Sequence, residues 1–81
     1  MKDLVEYLAK SLVESPDQVL VTQKEDEDTI IIELRVLPED MGKVIGKQGR
    51  IAKSIRTLVK AAAGQDDRKK IAVDITPRDD V

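Results

Sequence analysis

The residues best suited by type and spacing to do chemistry lie in Val44-Ile45-Gly46-Lys47-Gln48-Gly49-Arg50-Ile51, where two glycines bracket two polar residues between apolar flanks. Glycine reaches positive φ and bares its backbone at little steric cost, so Gly46 can end one helix while Gly49 lets a partner approach the next. N–H groups at a helix start lack intrahelical acceptors, and the helix dipole adds positive potential there, which favours a phosphate oxygen. Lys47 and Arg50 bring cationic side chains to the same place. The chemistry on offer is anion binding by a small clamp.

A nucleotide-hydrolysing phosphate loop does not fit. The Walker pattern needs four residues between its glycines and a serine or threonine after the lysine to hold magnesium. In Gly42-Lys43-Val44-Ile45-Gly46-Lys47-Gln48 only three residues separate the glycines, and Gln48 follows the lysine. The chain has no histidine and no cysteine, which removes the commonest acid–base group, thiolate metal sites and disulfides. Its carboxylates cluster in turns and helix starts, where solvation and helix dipoles account for them. A non-enzyme is expected, with no cofactor, metal or small-molecule substrate.

Val44 through Ile55, read as Val-Ile-Gly-Lys-Gln-Gly-Arg-Ile-Ala-Lys-Ser-Ile, resembles the signature of the KH domain. The GXXG loop of that domain grips a single-stranded backbone over about four nucleotides. Four-residue patterns recur by chance; the longer match, with Ile45, Ile51 and Ile55 in place, is far more specific.

The elements around this loop follow from periodicity. Leu4, Val5, Leu8, Leu12 and Val13 share a face at helical spacing. Asp3 and Glu6 form a capping arrangement before that face, and Ser15-Pro16-Asp17 stops the helix. Tyr7, the only aromatic residue, sits at the rim of the face and reads as core or partner-facing packing rather than base stacking. Val19 to Lys24 forms a less regular strand, and Glu25-Asp26-Glu27-Asp28 a solvated hairpin tip. From Thr29 to Val36, Ile30, Ile32, Leu34 and Val36 point one way, with Ile31 interrupting the polar side.

Leu37-Pro38-Glu39-Asp40 opens a short second helix, its acids near the positive dipole end. A third helix runs from about Gln48 to Ala63, with Ile51, Ile55, Leu58, Val59 and Ala62 on its buried face. Gly64 caps it, Asp66-Asp67-Arg68-Lys69 turns, and Ile71, Val73 and Ile75 alternate in a last strand ending at Pro77. The order αββααβ is also that of the type II, bacterial KH domain. The fold class is therefore α+β, a three-stranded sheet with three helices on one face. Residues 1–81 make a single domain, with the core motif over about 29–76 and the GXXG loop at 46–49.

Composition sets limits on the partner. Between residues 41 and 65 lie six of the fourteen basic residues (Lys43, Lys47, Arg50, Lys53, Arg56, Lys60) and none of the sixteen acidic ones. The segment carries +6 and the remainder, with eight basic residues, −8, for a net −2. That sum argues against an indiscriminate nucleic-acid binder, while its segregation favours a local one. Arg56 and Lys60, farther from the loop, read as a solvated face. With so little aromatic content, stacking platforms of the RRM type are disfavoured. No apolar run approaches the ~18 residues of a membrane span, and no signal peptide is apparent, so a cytoplasmic protein is expected.

A chain of this size consisting of one KH domain is similar to the bacterial KhpA family. The resemblance implies a single-stranded RNA-binding protein, an RNA chaperone or post-transcriptional regulator, linked to cell elongation or division and envelope homeostasis. It also implies pairing as a homodimer or with a larger KH-containing, KhpB-type partner. RNA would pass over Gly46, Lys47, Gln48 and Gly49, with Arg50, Lys43 and Lys53 supplying charge. The bases would lie against an aliphatic groove to which Ile45, Ile51 and strand residues such as Ile32 contribute. The competing reading is a dimerisation module with little intrinsic RNA binding.

Overall fold

A computed structural model describes residues 2–63 and 70–79 of the chain. Helix α1 (Lys2–Leu12) is followed by strands β1 (Leu20–Glu25) and β2 (Thr29–Val36), helices α2 (Met41–Ile45) and α3 (Arg50–Ala62), and strand β3 (Lys70–Pro77). Three single 3-10 turns punctuate the chain at Pro16–Gln18, Pro38–Asp40 and Lys47–Gly49. The order is αββααβ, and the fold is the α+β arrangement of a type II KH domain. Gly64 and the turn at residues 66–69 lie outside the described residues.

Strand β2 is the centre of the sheet, paired along both of its edges. It pairs antiparallel with β1, Val21 opposite Leu34, and parallel with β3, Ile32 opposite Val73. Because side chains alternate along a strand, Ile30, Ile32, Leu34 and Val36 all enter one core face. That face packs against Val5, Ala9, Val44, Ile55 and Val59 of the three helices. Each fully buried valine, leucine or isoleucine contributes roughly 1.5–3 kcal/mol, so an all-aliphatic core can hold a chain of this size. Ile31 lies on the opposite face, half-buried and paired with Lys24.

Several sequence expectations are corrected. Leu58 is 48% exposed and Ala62 also faces out, while Ala52 takes a place in the core. The buried stripe of α3 is therefore rotated slightly from the one its large apolar residues suggest. On α1, Leu12 is 37% exposed and Ala9 is fully buried; Tyr7, 70% exposed, takes no part in the core, which removes only the core half of the expectation for it. Asp3 lies inside the first turn rather than capping it. Glu6 instead accepts a hydrogen bond from Lys10 Nζ at 2.8 Å, and this bond and the lysine's charge hold its pKa below the ordinary carboxylate value. The stabilisation from this pair is present above the ordinary range and lost as pH falls through the lowered pKa. Along β1 only Val21 is buried, because the helical layer leaves Gln23 and Glu25 in solvent.

Among the described residues Asp40 is the buried polar exception, at 1% exposure. Its two carboxylate oxygens accept the backbone N–H groups of Glu14 and Ser15, each at 3.3 Å. The residue that opens α2 thus holds the chain leaving α1, and removing it strands two amides. Asp40→Ala is expected to lower the unfolding free energy by about 2–3 kcal/mol, and Asp40→Asn, which keeps one acceptor, by about half as much. Urea denaturation of the two variants checks this; equal losses would mean that shape, not hydrogen bonding, is what Asp40 provides.

Candidate nucleic-acid interface

The site is built where α2 ends and α3 begins. Val44, completely buried, anchors α2 in the core, and Ile45 and Ile51 pack half-buried against it from either side of the loop. Gly46 N–H donates to the Gly42 carbonyl at 2.9 Å and closes the last turn of α2. At φ 75°, ψ 178°, Gly46 occupies a backbone region essentially confined to glycine. A Cβ there would fall 2.5 Å from Ile51 Cγ1 and 2.8 Å from Cδ1. The glycine therefore does more than end a helix: it makes room for Ile51 to fold back over the loop.

Lys47-Gln48-Gly49 then forms one tight turn. Gly49 N–H donates to the Gly46 carbonyl at 3.2 Å, and Arg50 N–H to the Lys47 carbonyl. Two of the amides that the sequence offered to an anion are thus used internally. For Lys47 and Gln48 N–H no backbone acceptor in the turns and loops is found among the described residues. Gln48 is left-handed, at φ 57°, and Gly49 follows at φ 75°. A Cβ on Gly49 would meet nothing within 4 Å, so the space above this second glycine is open.

The predicted site residues divide into three groups. Lys47, Gln48, Arg50 and Lys53 are exposed, and among the described residues no ion pair engages the three cations of this set. Ile45 and Ile51 are half-buried and present part of their aliphatic surface beside the loop. Lys43 is drawn aside: its Nζ lies 3.1 Å from Glu14 Oε1. Ile32, at 0% exposure, cannot line a groove for bases, which corrects that expectation. Arg56 Nε donates to the Val73 carbonyl at 3.3 Å and so ties α3 to β3.

Sequence reasoning placed Gln48 in the loop but missed its backbone conformation, and it missed Glu14 altogether. The left-handed turn at Gln48 carries no glycine signal, and Glu14 reaches a segment without acids of its own from twenty-nine residues away. Among the described residues no group of His, Cys, Asp or Glu could hold a metal ion, and no helix is long and apolar enough to cross a membrane.

The model of the KhpA/KhpB KH domain matches residues 2–75. RNA-binding protein KhpA of Clostridium perfringens is 63% identical over 75 residues, covering 93% of this chain and 99% of the relative. Its counterpart in Aquifex aeolicus is 51% identical over 75 residues, covering 93% and 94%. A crystal structure of Era in complex with MgGDPNP and nucleotides 1506–1542 of 16S ribosomal RNA superposes with a TM-score of 0.61 at 23% identity. That match covers 94% of this chain and 30% of the Era chain, and shares the fold.

The two glycines should respond unequally to alanine. Gly46→Ala combines a forbidden backbone region with a clash against Ile51 and is expected to cost about 3 kcal/mol or more, whereas Gly49→Ala should cost about 1–2 kcal/mol. Chemical denaturation of both variants checks the order; a costlier Gly49→Ala would remove the Ile51 contact as the reason for the first glycine.

Proposed function

The chain belongs to the KhpA/KhpB KH-domain family, and from that premise we propose that it binds single-stranded RNA across the loop Gly46 to Gly49. The observation that carries this reading is the exposed Lys47-Gln48 apex between two positive-φ glycines, with open space above Gly49. A phosphate passing there meets loop amides and the charges of Lys47, Arg50 and Lys53, with Lys43 at the edge of the track. Half-buried Ile45 and Ile51 supply the aliphatic surface beside it. Relatives named RNA-binding proteins at up to 63% identity among those compared support the same role.

The reading extends to residues 1–81 acting as one KH unit in the cytoplasm, as a binding protein rather than an enzyme. Its cellular role is that of an RNA chaperone or post-transcriptional regulator, tied to cell elongation, division and envelope homeostasis through a homodimer or a KhpB-type partner. A second reading, association as the main task, is favoured by exposed Leu58 on α3 and by the net charge of −2. Crosslinking to RNA and self-association, measured on one preparation, separate the two: a stable dimer without RNA signal at low salt selects the second.

Engagement of about three phosphates predicts that log affinity for a single strand falls against log salt with a slope near −2. The double variant Lys47→Asp/Gln48→Asp should weaken binding by at least about tenfold, through charge reversal at the phosphate track, with an unchanged circular dichroism spectrum. Undiminished crosslinking by the folded variant would move the binding surface elsewhere.

A further inference from the structure

Among the cations around the loop, Lys43 stands apart, because its ammonium group is already partnered. The carboxylate that takes it belongs to Glu14, whose backbone N–H is in turn held by buried Asp40. Asp40 adjoins α2, so the residue that fixes the start of the helix also sets Glu14 over the side chain one turn farther along it. Glu14 is 79% exposed and Lys43 39%, so both members of the pair are open to solvent, the acid more than the lysine.

Lys43 lies three residues before Gly46, within about one helical turn of the loop. We propose that Glu14 is an intramolecular competitor for RNA phosphate: its carboxylate occupies the contact on Lys43 that a backbone phosphate would make. This rests on the reading of the loop as an RNA site. The contact limits the phosphate track to Lys47, Arg50 and Lys53 and holds affinity below what four cations would give. It also repels a strand entering from the α1 side, so the acid defines one end of the track.

An exposed ion pair is weak and is opened by a modest gain, so the contact acts as a brake rather than a block. The acid is supplied from the segment just after α1, outside the glycine-loop motif, and is brought near by the fold rather than by the sequence. Its removal therefore leaves the loop intact while freeing one cation. Because Glu14 engages Asp40 through its backbone, Glu14→Gln leaves that buried contact in place.

The test compares the wild-type chain, Glu14→Gln and Glu14→Gln/Lys43→Gln for binding to a short, labelled, unstructured RNA across a salt series, each checked by circular dichroism. Glu14→Gln is expected to tighten binding about two- to fivefold at low salt and to steepen the log–log salt slope by about 0.7, the increment for one further phosphate on a single strand. The second substitution should abolish both gains. Equal affinity and slope in wild type and Glu14→Gln would overturn the competitor role while leaving the RNA site standing. A gain that survives loss of Lys43 would likewise overturn it, as an effect of net charge. If neither wild type nor Glu14→Gln binds at low salt, the RNA reading itself fails.

Discussion

The Cα of Gly46 carries no side chain, and Ile51 fills the space that one would take. This single contact binds the end of α2 to the beginning of α3 across a turn of three residues. It lets Ile51 pack toward the core from the side of the loop facing α3, while Ile45 packs from the other side. With its two ends held by aliphatic packing, the intervening Lys47-Gln48 has nowhere to go but outward. The exposure of the clamp is a consequence of how tightly its flanks are buried.

That arrangement explains why the glycines are not equivalent. Gly46 is required by the molecule's own packing, since both its ψ near 180° at positive φ and the approach of Ile51 exclude a Cβ. Gly49 is under no such internal pressure beyond its left-handed φ; the space above it is open. A motif that looks symmetric in sequence therefore joins one residue selected by the interior to one whose bareness faces outward. The strained Gln48 between them is held by the short turn, which closes through Gly49 N–H to the Gly46 carbonyl and Arg50 N–H to the Lys47 carbonyl.

Much of this was legible in the chain because the relevant signals are local. The alternation of Ile30, Ile32, Leu34 and Val36 located a strand and its inward face, and Gly46 and Gly49 located the break between helices. What escaped were properties set by elements distant in sequence. Leu58 looks as apolar as Ile55, yet the edge of the helical layer leaves it exposed and admits the smaller Ala52 instead. Ile32 sits on the correct face of β2 but so deep that no base could reach it. Asp40 reads as an acid at a helix start, whereas its partners are the amides of Glu14 and Ser15, some twenty-five residues earlier. Periodicity assigns a residue to a face; it does not say how far the next layer extends over that face.

The same distinction governs the electrostatics. Counting charges along residues 41–65 gives six cations without an acid, but folding brings Glu14 against Lys43 and turns Arg56 toward the Val73 carbonyl. The field at the loop is therefore carried mainly by Lys47, Arg50 and Lys53. An aliphatic surface beside them offers bases no stacking of the kind worth about 1–3 kcal/mol each on aromatic platforms. A site with few cations and no such platform has little nonspecific attraction to draw on, so its affinity for a single strand should be low. For the RNA role proposed above, the packing of Gly46, Val44 and Ile51 around the loop is what would present so small a surface in one geometry, and two copies acting together would gain avidity only if both loops face the same strand.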